Sequence, residues 1–595
     1  MFLRCKTRYK DGKEHQYWSI VENKRVAGGR TIQRHVLHLG ELNTTQEESW
    51  RRSVDLFFEE EAKPQQAMIF PEDYLPEQKA EEIPTIGLRL AKMRLERPRQ
   101  WGACWLGTEL WKLLGLDEFW SEKLPDGRKG ARWDQILQTL TLYRLIDPGS
   151  EWRLHRHWFE HSALGDLLGS DFSLAEIHRL YECHDKLIKH KEALFNHLTE
   201  RWKNLFDAKY EVLLYDLTST YFERDPIFAE NDKRKFGYSR DKRSDCVQVV
   251  IALIVTPEGF PLAYEVLPGN TSDKTTLKDF LEKIEHQYGK ADRIWVMDRG
   301  IPTEKVLAEM KAANRPIHYL VGTPRGRLGK MEASFLELSW QQARTNVEVK
   351  LCPEDGETYI LAKSKDRVLK ERSMRRRRLR KYLKRLAELQ TRKQLMKRDA
   401  LHQAIGAAKK EAGSDARHVE ITVKIQKQKK KKYAALSYRL NRASLRLARR
   451  REGCYLLRTN LTDTDPAKLW TFYLQLTEVE QAFKELKNDL SLRPIYHQLE
   501  KRIEAHIFIS FLAYCLQVTL KAKIKYSASG LTPRSVLEQF ATMQMLDVRI
   551  PTTDQRELLL TRYTHPSKEI QLLLDQLKLT LPEQAPPKIY TPNSH

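Results

Sequence analysis

The chain has 595 residues, 41% hydrophobic and 31% charged, enough apolar material for several buried cores at roughly 150 residues per folding unit. No run approaches the ~18 uncharged apolar residues that a membrane helix needs, which excludes a spanning protein. Its formal charge is +23, from 103 Lys/Arg against 80 Asp/Glu. The segment from Asp366 to Glu452 holds 30 Lys/Arg and 8 Asp/Glu, a net +22, so the rest of the chain is close to neutral. A segment of that charge repels itself unless a polyanion shares the space, and nucleic acid is the natural polyanion for it. The N-terminus MFLRCKTRYKDGKEH has no apolar leader stretch. The closest cysteines in sequence, Cys454 and Cys515, are 61 residues apart. That spacing excludes CxxC zinc clusters, argues against a disulfide framework and points to a reduced, cytoplasmic setting.

In chain order, residues 1–60 read as a β-hairpin turning at Ala27-Gly28-Gly29, followed by a short helix. Residues 61–100 hold Pro64, Pro71, Pro76, Pro84 and Pro98 and read as a linker or arm. From 101 to 206 apolar residues recur every three or four positions, a helical region for DNA binding or dimerisation whose tryptophans belong mostly to a bundle core. Arg153, His155, Arg156 and His157 are alternative phosphate contacts there. Residues 207–330 alternate short β runs with helices, a mixed α/β sheet. An insertion spans 331–455. It starts with a β patch and continues as two basic helical arms split at Gly413-Ser414, an antiparallel hairpin with an apolar seam. The seam runs through Leu379, Tyr382, Leu386 and Leu389 on one arm and Tyr433, Leu436, Leu440, Ala443 and Leu447 on the other. Arg375, Arg376, Arg377 and Arg378 lie on its outer faces as DNA-backbone contacts. The α/β unit resumes over 456–580, and 581–595 reads as a disordered tail.

Two carboxylates stand at the ends of apolar strands: Asp216 after VLLY and Asp298 after IWVM. A strand-end carboxylate in an α/β sheet points into the crevice where ligands bind. A third candidate, Glu480, lies on a helical stretch between Tyr473 and Lys487 at seven-residue spacing. On an α-helix that spacing falls about 20° short of two turns, so the three side chains share a face. Three carboxylates suit a pair of hard cations, which take oxygen ligands. GTPRGRLGK at 322–330 lacks the spacing and the Ser/Thr of a phosphate-binding P-loop. The 18 histidines form no HExxH or similar metal pattern, and His155 and His157 read as satisfied or surface groups.

The ordered set Asp216, Asp298, Tyr473, Glu480 and Lys487 resembles the DDE transposases of bacterial insertion sequences. Within them it is similar to the insertion-sequence-4-like group with its Y-x2-R-x3-E-x6-K signature. The blocks YWSIVENKRVAGGRTIQRHVLHLGE, DLTSTYFE, MDRGIP and LSLRPIYHQLEKRIEAHIFISFLAYCL resemble its long-transposase branch. The resemblance implies an RNase H-like mixed-sheet core, interrupted by the basic insertion and preceded by the N-terminal hairpin and helical region. It implies Asp216, Asp298 and Glu480 as catalytic ligands of two Mg²⁺ ions, with Mn²⁺ able to substitute. It also implies cleavage of the element's ends and joining of their 3′-hydroxyls to target DNA. The partners expected from it are double-stranded DNA, at the element ends and the target, and a second copy of the chain as a homodimer on DNA, with no membrane. Lys487 and Tyr473 are the implied DNA contacts. The family's Arg position is Leu476 here, so phosphate handling shifts to Lys484 or Arg493. Leu476 also keeps alive a catalytically silent, transposase-derived DNA-binding protein, and a non-mobile nuclease on the same fold is the other alternative.

Overall fold

The computed structural model describes residues 2–10, 13–25, 31–61, 86–127, 130–223, 232–239, 243, 245–271, 282–286, 293–298, 302–312, 317–323, 327, 331, 335, 337–344, 346–391, 398–428, 431–461, 465–493 and 495–591. The turn at Ala27-Gly28-Gly29, most of the 61–100 arm, Arg299-Gly300, most of 322–330, Lys429-Lys430 and the last four residues lie outside this set. The chain divides into two compact units. The first comprises Met1–Lys6, Gln16–Arg293 and Gln475–His595, and the second Thr7–His15 and Ile294–Leu474.

The chain opens with a three-stranded sheet of order β1-β2-β3, formed by β1 (Phe2–Lys10), β2 (Lys13–Arg25) and β3 (Thr31–Gly40). The 18-residue helix Thr44–Glu61 follows, longer than the short helix expected. Trp50 of that helix is buried and donates its indole N–H to Ser529 O at 2.6 Å. The expected arm ends earlier than residue 100. Residues 94–100 form β4 (Arg94–Gln100), an antiparallel partner of β16 (Gln544–Pro551). The register passes from Arg99 to Glu96 at an irregularity between Met545 and Asp547, so Pro98, which has no N–H, falls where the ladder does not pair. β17 (Glu557–Tyr563) and β18 (Lys588–Tyr590) complete this four-stranded sheet. Residues 588–590 are therefore strand rather than disordered tail, paired to Glu557–Leu559.

Helices fill 102–206, and Trp101, Trp105, Trp111, Trp120, Trp133 and Trp158 are buried among them. Trp152 is exposed, with Arg156 over its ring at 5.6 Å. Arg153 is tied to Asp147 at 2.6 Å. The helix Glu500–Ser527 packs against Trp133–Ile146 and Ile177–Leu187. Contrary to the sequence reading, it is long and apolar enough to cross a membrane. Its apolar residues on every side, among them Phe508, Phe511, Leu512 and Leu516, are instead buried in protein, which is why a core helix shows no hydrophilic face.

Three consecutive antiparallel strands close the first unit's account. They are β5 (Val212–Phe222), β6 (Val247–Val255) and β7 (Pro261–Pro268). The run VQVVIALIV of β6 is buried at all nine positions, as expected of a strand covered on both faces.

The second unit holds a mixed sheet of order β10-β11-β12-β15-β9-β8. Its strands are β8 (Ile294–Met297), β9 (His318–Gly322), β10 (Gln341–Arg344), β11 (Val347–Glu354), β12 (Glu357–Ser364) and β15 (Cys454–Thr459). β8 and β9 are parallel and joined through the helix Glu304–Ala312, whereas β9–β15 and β15–β12 are antiparallel. A parallel neighbour requires such a crossover. Arg458 forks onto Glu357 at 2.6 and 2.7 Å, and the Tyr319 hydroxyl donates to the same carboxylate.

The basic insertion is not a pair of helical arms. The first arm is helical, Lys365–Gln390, and folds against the helix Arg398–Ala412. Leu379, Tyr382, Leu386 and Leu389 meet Leu401, Ile405, Ala408 and Ala412, and with them Val419 and Leu436 from beyond the helix, in one apolar cluster. The second arm is an antiparallel hairpin, β13 (Val419–Gln428) with β14 (Lys431–Leu440), and only Arg442–Arg450 beyond it is helical. Leu436 and Leu440, assigned to a helical seam, face Val423 and Val419 across the strands. Val419, Ile421 and Val423 alternate at period two and are β-branched, and pairing with them overrides the weaker three-four spacing of the second run. The arm's two ends meet where Ser364 N–H donates to Gly453 O at 3.0 Å. Gly453 has φ +70°, and a Cβ there would lie 2.7 Å from Ser364 O, so this junction requires glycine.

Candidate active site

Asp216 stands in the interior of β5, opposite Leu253 of β6, and not at the strand's end. The strand runs six residues past it because Leu217, Thr218, Ser219 and Thr220 continue the buried ladder. Leu213, Leu214 and Tyr215 have no exposed surface and Leu217 is 1% exposed, while Asp216 is half-buried. A carboxylate so placed is held by rigid backbone in apolar surroundings, where it needs a polar or cationic partner.

Glu480 lies on the helix Leu476–Lys484, which packs on β5 and β6. Leu476, Val479, Ala482 and Phe483 form its buried side, and Glu480 and Lys484 are exposed. Leu476 is a core leucine, 8% exposed. Asp298 directly follows β8 and is half-buried. Asp216 and Glu480 belong to the first unit and Asp298 to the second.

The shared face expected of Tyr473, Glu480 and Lys487 depends on one unbroken α-helix, and the backbone departs from that twice. A turn at Gln475 ends the helix Pro466–Leu474. After Lys484 the chain widens into a π-helical turn, Glu485–Asp489, closed by Leu490 N–H donating to Glu485 O at 2.9 Å. Tyr473 packs among aromatics, 5.9 Å from both Tyr455 and Trp470. Lys487 is half-buried within the π turn, a type of helical defect that is frequent at functional sites. The turn also buries Glu485, a carboxylate the sequence reading passed over. Burial raises its carboxyl above the ordinary range, opposed by the Gln481 amide 2.9 Å away. Arg493 carries its guanidinium 5.8 Å from the ring of Tyr221, five residues along β5 from Asp216.

The arginines of the basic arm divide into two kinds. Arg375 pairs with Glu452 and lies 3.6 Å from Asp415, and Arg372 reaches Glu452 at 3.0 Å. Glu452 is 1% exposed, so Arg375 serves the foot of the arm. Arg378 reaches Asp415 at 3.5 Å but remains exposed. Arg376, Arg377, Arg380, Lys381, Lys384 and Arg385 are exposed on the side away from Leu379, Tyr382 and Leu386.

Comparison with known proteins adds the family. The model of the transposase DDE domain matches residues 207–516, just over half the chain and the span that contains Asp216, Asp298 and Glu480. The model of the IS1634 family transposase N-terminal domain matches residues 3–64. No curated protein matches the chain. Among solved structures, a piggyBac transposase synaptic complex with hairpin DNA is similar over 77% of this chain and 82% of that one, at 9% identity and a TM-score of 0.32. The chain belongs to the transposase DDE-domain family, metal-dependent enzymes that cleave and join DNA, and carries at its N-terminus the domain of IS1634 family transposases.

Proposed function

We propose that the protein cleaves the ends of an insertion sequence and joins the freed 3′-hydroxyls to target DNA, using Asp216, Asp298 and Glu480 as the catalytic carboxylates. The observation that carries this reading is the transposase DDE-domain match over 207–516, a span that contains all three residues. The donor set fits two Mg²⁺ ions, since it is all carboxylate oxygen and includes the half-buried Asp216 within an apolar strand. When bound, such ions supply Lewis-acid stabilisation of the attacking and leaving oxygens. The chain's own residues hold and orient the DNA. Lys487 and Lys484 bring positive charge next to Glu480, and Arg493 takes over phosphate binding from the position that Leu476 fills. Tyr473 contacts DNA in this reading. Arg376, Arg377 and Arg378, with Arg375 bracing the helix beneath them, hold DNA backbone without reading its sequence. A homodimer on paired element ends completes the reading.

The test is cleavage and strand transfer on duplex DNA carrying the element's terminal repeats, with Mg²⁺ or Mn²⁺. Joined products support transposition. Cleaved but unjoined DNA would reduce the protein to a nuclease, and binding without nicking would leave the silent DNA-binding alternative that Leu476 suggests.

A further inference from the structure

A second cluster of metal-type ligands lies in the first unit and shares no residue with the DDE carboxylates. Glu151 follows the N-cap Ser150, His184 lies on the helix Ile177–Leu187, His497 on the loop before the helix Glu500–Ser527, and His506 on that helix. One ligand atom each from Glu151, His497 and His506 falls within 4.8 Å of the other two. Around the single oxygen Oε1 of Glu151 stand His497 Nε2 at 3.2 Å, His184 Nε2 at 3.4 Å and His506 Nδ1 at 3.7 Å. Ligand atoms of a tetrahedral ion with bonds of about 2.0–2.1 Å lie roughly 3.3–3.4 Å apart.

The orientation of two rings is fixed from behind. His184 Nδ1 lies 2.8 Å from Leu180 O, and His506 Nε2 lies 3.3 Å from Leu492 O. A carbonyl only accepts, so those nitrogens carry the protons, and in a neutral ring the opposite nitrogen presents a lone pair. Both of those nitrogens, His184 Nε2 and His506 Nδ1, are buried with no hydrogen-bond partner and face the Glu151 carboxylate. His184 is 0% and His506 4% exposed. Lone pairs aimed at a carboxylate repel it, and a cation between them reverses the sign.

We infer that Glu151, His497 and His506 form a site for one divalent ion of the zinc type, with His184 facing the same Glu151 oxygen from behind. Imidazole with carboxylate is a zinc donor set, and two of the three ligands, Glu151 and His506, are buried, which suits a structural ion. Its role is to clip the loop 490–499, which follows the Glu480–Lys487 segment, to the helical region. The same loop is gripped by Arg144, whose guanidinium donates to Ser491 O at 3.1 Å. That guanidinium also stands 4.0 Å from Glu151 Oε1, which defines the rival: a metal-free knot neutralised by Arg144.

The experiment is elemental analysis of the full-length chain, expressed with zinc and purified without chelator in excess Mg²⁺. About one zinc per chain is expected, retained by Asp216→Ala and lost in Glu151→Gln, His497→Gln and His506→Gln. As the variants can fail to fold, the wild-type chain is also stripped with chelator and reloaded. Its melting temperature should fall and be restored by Zn²⁺ but not Mg²⁺, and Co²⁺ should give the visible absorption of a tetrahedral site. A folded wild-type chain that holds no zinc and whose melting temperature ignores it would overturn the site in favour of the Arg144 knot. Zinc that persists in the folded variants would overturn it as well. Neither readout depends on transposition.

Discussion

The strand pair β5–β6 and the basic arm are both built on apolar contacts, but they hold their charged groups in opposite ways. In β5 a single carboxylate, Asp216, is set between Tyr215 and Leu217, which are buried, opposite a fully buried strand. In the helix Lys365–Gln390 the apolar side is one strip, and the cations stand outside it in solvent. A charge fixed by packing has one position and one partner, so its removal is felt as chemistry. Cations on long exposed side chains are individually replaceable, and their effect is felt as a sum over phosphates. Arg375 stands between the two cases, being a basic-arm residue committed to the buried Glu452.

The largest expected effect tests the first half of that contrast. Asp216→Ala, Asp298→Ala and Glu480→Ala should each reduce cleavage beyond the roughly 10–100-fold typical of residues that merely support a metal ligand. Gel-shift affinity for the element's ends should stay nearly intact, and a loss of binding that matches the loss of cleavage would refute the ligand assignment. Mn²⁺ should restore activity in place of Mg²⁺, while Ca²⁺ should support binding without turnover.

The second half is tested by removing the arm. Ser364 and Gly453 are already hydrogen-bonded neighbours, so rejoining the chain near 365 and 453 should leave β12 and β15 paired. The logarithmic salt dependence of DNA binding should flatten by about 0.9 for each phosphate the arm neutralised. An unchanged slope would assign the +22 segment to solvent or to another protein. Within the arm, Leu386→Ala removes a side chain with no exposed surface from the apolar strip. It should cost about 2–5 kcal/mol, read as earlier proteolysis or faster hydrogen exchange of 365–412. The smallest effects separate neighbouring arginines. Arg375→Ala leaves Glu452 with Arg372 alone and should destabilise the arm's foot by about 1–3 kcal/mol. Arg376→Ala should leave stability unchanged and lower the salt slope by at most about one unit. If the two variants behave alike, the division between bracing and binding arginines fails.

The transposase family and the candidate carboxylates are readable along the chain because they are carried by residue type and order. Asp298 after IWVM, Glu480 beside an apolar stripe and the charge between 366 and 452 all follow from short-range pattern. The pattern failed where neighbours not adjacent in sequence decide the backbone. Residues 431–440 step by threes and fours like a helix, yet they pair as a strand because Val419, Ile421 and Val423 offer a β-branched partner edge. Asp216 reads as a strand end because it follows the apolar run VLLY, but Thr218, Ser219 and Thr220 beyond it are buried in the ladder with β6.

By itself the sequence determined the order of the three candidate carboxylates, the transposase family and the location of the excess charge, because each depends on which side chains are present and at what spacing. Only the tertiary structure decided the π turn at 485–489, which shifts the helical phase between Glu480 and Lys487. It alone brought Glu151, His184, His497 and His506 around one oxygen, from positions up to 355 residues apart. Helical phase accumulates residue by residue, so a single turn of altered pitch redirects every side chain beyond it. A cluster assembled across packed helices leaves no spacing in the chain to read, since its geometry belongs to the packing.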